Sequence, residues 1–151
     1  MDNGLNKRLL LEISRVDRLL GESKSLFDLC KQQTPNFTEM SACALTLQSF
    51  YHGIEKMLIF IFQHYDGQLP KGDKWHNDLL DNAFASDKNR KTVFFNVSKI
   101  ELKEYLKFRH FIRNAYAFQL EWDKMKDLTT DIHDLWETVK GDIHTFIKAS
   151  P

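Results

Sequence analysis

Apolar residues return every three or four positions from early in the chain. Leu9, Ile13, Val16, Leu20, Phe27 and Cys30 fall on one face, which predicts a first helix of about 25 residues. Pro35 interrupts that run. In "PNFTEM" Asn36 is followed three residues later by Glu39, the spacing of a capping box, so a second helix is expected from there to about Tyr65. Between Phe50 and Phe62 this helix is apolar nearly all round, which places it at the buried centre of a bundle or also in an interface. "DGQLPKGDK" carries two glycines and a proline and reads as a loop, and a short helix follows from about Lys74 to Phe84. "ASDKNRKTVFFNV" shows no sustained period and is read as irregular. Ser98 and Glu101 in "SKIE" repeat the capping spacing and start a fourth helix, expected from Lys99 to Phe118. Leu128, Ile132, Leu135, Val139, Ile143 and Phe146 define the last, from about Asp123 to Lys148. The pattern predicts an all-α fold, an antiparallel bundle of about five helices.

Composition narrows the functional classes. A chain of 151 residues fits one domain, 1–151, and can bury a real core. Its 21 acidic and 21 basic side chains cancel, so no overall field draws it to nucleic acid or to a membrane, and any anion binding must be local. Cys30 and Cys43, both in helical segments, are expected to be reduced thiols in a cytoplasmic protein. The N-terminal stretch is charged every few residues, unlike a signal peptide, and the apolar run Met57 to Phe62 is far short of a membrane span.

An α-helix turns about 100° per residue, so the fourth helix can be sorted into faces. Phe108, Phe111, Ala115 and Phe118 group as a core stripe. Lys103, Lys107, His110 and Asn114 form a second stripe, and Arg109, Arg113 and Tyr116 adjoin it. Such a basic face has two readings. It is an ordinary solvated side, offset by Glu101 and Glu104, or it is a site for a phosphodiester, with arginines gripping phosphate oxygens and rings stacking on bases. The pattern leaves both open. The six histidines show no metal-site spacing, no glycine-rich phosphate loop or nucleophile elbow is present, and nothing marks either cysteine as activated. No metal and no cofactor is expected.

Three stretches, "SFYHGIEKMLIFI" at 49–61, "LPKGDKWHNDLL" at 69–80 and "YLKFRHFIRNAYAFQLEWDKM" at 105–125, resemble the HEPN domains in order and spacing. Within them, the likeness is to the HepT-like ribonuclease toxins, and it extends from near residue 9 to near 147. The family motif is an arginine, four residues, a histidine, one residue and a tyrosine. Arg109 fills the first place and Tyr116 the last, but Asn114 stands where the histidine belongs, and His110 is out of register to replace it.

The resemblance implies metal-independent cleavage of RNA, tRNA among the family's targets. A histidine at position 114 would take the proton of a ribose 2′-hydroxyl, while Arg109 stabilises charge on the phosphate. Lys103, Lys107, His110 and Arg113 would hold the RNA backbone. Asn114 hydrogen-bonds but does not titrate, and losing a general base or acid costs ~10²–10⁴-fold, so this chain should bind RNA and cleave poorly if at all. Retention of Arg109, Arg113 and Tyr116 favours deliberate replacement of a histidine over natural loss of activity as the origin of Asn114. Positions 109 and 114 lie about 140° apart on a straight helix. The family's implied answer is a homodimer in which two motif helices meet, a two-fold contact of the commonest kind. Tyr116 is open to three readings: a core or interface ring, a residue contacting RNA, or, by resemblance alone, the acceptor of AMP units from a minimal nucleotidyltransferase antitoxin. The alternative from another class is a non-catalytic helical subunit that binds a nucleotidyltransferase or nucleic acid.

Overall fold

The computed structural model describes residues 3–149. Among these are five α-helices, α1 (Asn3–Gln32), α2 (Phe37–Tyr65), α3 (Trp75–Ala83), α4 (Lys99–Asn114) and α5 (Trp122–Ala149), with a short 3-10 turn at Ala117–Gln119. The architecture is the expected all-α bundle, and α1 is longer than predicted at 30 residues. No described helix is long and apolar enough to cross a membrane.

α1 and α2 form a hairpin around Pro35, and α2 starts on the expected cap. The Glu39 N–H donates to Asn36 Oδ1 at 2.8 Å and the Asn36 N–H to Glu39 Oε1 at 2.9 Å. α2 ends on Gly67, whose positive φ of 76° suits the residue after a helix and whose N–H reaches the Phe62 carbonyl. α2 is the central element and packs against α1, α3, α4 and α5. Its all-round apolar stretch is therefore core: Phe50, Tyr51, Ile54, Met57, Leu58, Ile61 and Phe62 are buried. The close approach of α1 depends on Gly53, where an added Cβ would lie 2.8 Å from Val16 Cγ2.

The irregular segment before α4 is fastened from α5. The buried Asp142 carboxylate accepts from the N–H groups of Phe95, Asn96 and Val97 and from the Asn96 amide, at 2.9 to 3.2 Å. That anchor sets where α4 begins. Ser98 then caps α4 by accepting from the Glu101 N–H at 3.2 Å. The reciprocal bond of a full capping box, expected from "SKIE", is not made among the described residues.

Two expectations for α4 are corrected. The helix stops at Asn114 rather than Phe118, because Ala115 and Tyr116 are extended at φ −96°, ψ 148° and φ −84°, ψ 152°. The core stripe is also different. Leu102, Tyr105 and Leu106 are buried, and the partly buried Ile112 continues their line, while Phe111 and Phe118 are exposed. Of the predicted stripe only Phe108 is buried, and Ala115 is half-buried and outside the helix. Tyr105 fixes the inward face by donating to the Leu128 carbonyl of α5 at 2.7 Å.

Candidate functional site

The buried positions of α4 run Leu102, Tyr105, Leu106, and the next inward position at this spacing is Arg109. Arg109 thus projects toward α2 and α3 rather than lying on an outer basic face, and 14 % of its side chain is exposed. A guanidinium so placed must be paired. Its Nη1 lies 3.4 Å from Glu55 Oε1 of α2, and its Nε is fully buried without a hydrogen-bond partner.

Glu55 joins a second group. Its Oε2 is 2.6 Å from Nδ1 of His76 on α3. A carboxylate only accepts, so Nδ1 carries the proton and donates, and the 3.5 Å approach of Arg109 Nη1 to the same nitrogen is a contact between two donors. The His76 ring lies against Trp75 with centroids 3.6 Å apart and meets the edge of His110 at 5.6 Å. Burial first, and then the neighbouring His76, Arg109 and Arg113, hold the His110 pKa below its ordinary value, against an upward pull from Glu55. Nearby, burial and then the Glu55 charge push the Tyr51 phenol up.

The remaining residues of the site as read from the sequence fall into separate groups. Arg113 and Asn114 are exposed at the end of α4. Tyr116 is 70 % exposed and stacks on Phe118, with centroids 5.4 Å apart and planes 10° from parallel. Its backbone is fixed by the Gln119 side chain, which accepts from the Tyr116 N–H at 2.7 Å, and by the Gln119 N–H, which donates to the Tyr116 carbonyl at 2.8 Å. No hydrogen bond among the described residues connects Arg109 with Asn114 or Tyr116. The lysines are engaged with acids. Lys103 contacts Asp81 at 2.9 Å, and Lys107 contacts Glu104 at 3.3 Å. Asp81 also takes Lys99, and these two lysines outweigh its burial and hold its carboxyl below the usual carboxylate range. Lys107 borders a groove of about 550 Å³ between α4 and α5 that Glu104, Glu121, Asp123 and Asp127 make acidic, a poor seat for a polyanion.

Glu55 and His76 were not picked out in the sequence as site residues. Glu55 had a signal, as the only acidic residue between Glu39 and Asp66 in a helix otherwise apolar through its second half. His76 had none, since its meeting with Glu55 depends on how α3 docks on α2. Cys30 and Cys43 are free, with Sγ atoms 3.7 Å apart, and burial pushes Cys43 up to about 12.

A model of the HepT-like protein family matches residues 42–150, which include Glu55, His76, Arg109, Asn114 and Tyr116. The chain belongs to this HepT-like family of HEPN-type toxins. Neither the curated proteins nor the solved structures give a match.

Proposed function

We propose that this chain is the ribonuclease toxin of a HEPN and minimal nucleotidyltransferase pair, one domain over 1–151 that acts as a homodimer in the cytoplasm. The observation that carries the reading is Arg109. It is a guanidinium set at a core position of α4, held by Glu55 but with its Nε unpaired, in the family's motif place and one helical turn from the exposed Asn114 and Arg113. Such a cation, fixed and partly desolvated, suits stabilisation of charge on a phosphate at the moment of cleavage. Arg113, His110, Lys103 and Lys107 would hold the RNA backbone, tRNA by family likeness, and the exposed rings of Tyr116 and Phe118 offer stacking surfaces.

In a metal-independent cleavage, the residue at 114 removes the proton of a 2′-hydroxyl as its oxygen attacks the adjacent phosphorus. Asn114 cannot take that proton, so this chain binds RNA and cleaves it ~10²–10⁴-fold more slowly than a histidine form. Tyr116 is the proposed acceptor of AMP units from the nucleotidyltransferase. Phosphates fixed there beside Arg113 would occupy the anion site and repel RNA. The test is the Asn114→His variant with RNA in the presence of a chelator. Cleavage should appear or rise by about two orders of magnitude or more. No nuclease activity in the histidine form would remove the ribonuclease reading and leave a non-catalytic binding subunit.

A further inference from the structure

Glu55, His76 and Arg109 come from α2, α3 and α4, and they meet within 3.5 Å of one another. The imidazole is held on two sides. Its Nδ1 is committed to Glu55, and its face rests on Trp75. Its Nε2 makes no hydrogen bond among the described residues. Among the described residues, the fully buried side-chain polar atoms left without a partner are Arg109 Nε and Thr129 Oγ1, so Nε2 is not sealed from solvent. Consistently, 11 % of the His76 side chain is accessible. A carboxylate that fixes the tautomer through Nδ1 and leaves Nε2 open is the arrangement by which proteins make an imidazole a proton acceptor.

We propose that His76 is a second proton-transfer residue of this site, acting through Nε2, and that it sustains slow RNA cleavage by the chain that carries Asn114. The proposal rests on the ribonuclease reading above. Nε2 takes the proton of the ribose 2′-hydroxyl, the O2′–P bond forms, and the P–O5′ bond breaks. The 5′-oxygen leaves with the electron pair and takes a proton from water, giving a 2′,3′-cyclic phosphate, and the imidazolium returns its proton to water afterwards. Arg109, within contact of the same ring, faces the phosphate that reacts. The charged and titratable groups in contact with the ring are Glu55 from α2 and Arg109 and His110 from α4, and Tyr51 of α2 lies close enough to feel the Glu55 and Arg109 charges. Glu55, which holds the ring through Nδ1, is a positioning residue.

A purely structural histidine would share the hydrogen bond to Glu55, so the test must separate proton transfer from packing. His76→Asn keeps an N–H donor toward Glu55 and cannot titrate. Cleavage of a tRNA preparation with chelator present is measured for the chain as it stands, for His76→Asn, for Asn114→His and for the double variant. The expected result is slow cleavage by the unaltered chain. His76→Asn should lower its kcat about tenfold or more with little change in KM and flatten its pH dependence. In the Asn114→His background the same substitution should cost much less. If Asn114→His cleaves but the unaltered chain does not, the proposal is overturned and the ribonuclease reading stands. Activity unaffected by His76→Asn, or lowered with the pH profile intact, also overturns it. If no form cleaves, both fall. Should His76→Asn not fold, the imidazole signals of the unaltered chain are followed by NMR on adding a 2′-deoxy oligonucleotide. A shift at His76 Nε2 supports the proposal, and its absence overturns it.

Discussion

Arg109 holds a place on α4 that its neighbours Leu102, Tyr105 and Leu106 define as inward, and this makes it structural as well as chemical. Removing the guanidinium leaves the Glu55 carboxylate, 4 % exposed, with His76 as its remaining partner. A buried carboxylate that loses its guanidinium and keeps one imidazole contact is costly, so Arg109→Ala should lower unfolding stability by about 3 kcal/mol. Arg113→Ala, on the exposed side of the same helix, should stay within about 0.5 kcal/mol. Urea denaturation of the two variants checks this, and equally small shifts would mean that the Glu55 contact does not hold Arg109. The difference also governs any activity test, because an inactive Arg109→Ala protein must first be shown to be folded. The motif made Arg109 legible as a site residue. Its burial was not, because the rings at 108, 111 and 118 drew the core stripe to a face about 140° away from the one that packs. Helical arithmetic gives relative angles, and only contact with α2 says which angle is inward.

The misplaced end of α4 has a similar cause at the scale of elements. "RNAYAF" contains no glycine or proline, and alanine is the best helix former, so local preference gave no reason to stop at Asn114. What ends the helix lies further along. Leu120 is buried, α5 begins at Trp122, and the chain must turn between them, a turn closed by the paired bonds of Tyr116 and Gln119. The caps at Asn36 and Ser98, and with them the starts of α2 and α4, were readable because their signals are local. The break is tertiary. Its consequence is that Tyr116 stands on an extended turn with its ring in solvent instead of on a helix face. A hydroxyl in that setting is open to another enzyme, which bears on its proposed role. Incubation with the cognate nucleotidyltransferase and ATP should add AMP mass to the chain, located at Tyr116 by peptide mass spectrometry. Labelling that persists at the same level in Tyr116→Phe would reject this acceptor.

At the scale of the whole molecule, the bundle was legible because α2 carries a nearly continuous apolar surface that only a central helix can bury, and α1, α3, α4 and α5 do surround it. Most of that stretch is spent on the core, with Ile59 and Phe60 partly buried. What remains exposed near the motif is a set of rings, Phe111, Tyr116 and Phe118, at the corner between α4 and α5. Exposed rings that stack on one another, as Tyr116 and Phe118 do, mark interaction surfaces more often than plain surface. Arg109 turns inward while Asn114 faces solvent, so a cleft using both needs a further surface, and a second copy of the corner would supply one. Light scattering should therefore give the mass of a dimer at micromolar concentration. Phe118→Asp, which changes a ring 76 % exposed and leaves the core untouched, should shift the protein to monomer. In the Asn114→His background it should also abolish RNA cleavage while leaving the melting temperature of the monomer near that of the parent. A Phe118→Asp protein that stays dimeric would move the interface elsewhere. A monomeric parent with full activity after Asn114→His would mean that one chain completes the site alone.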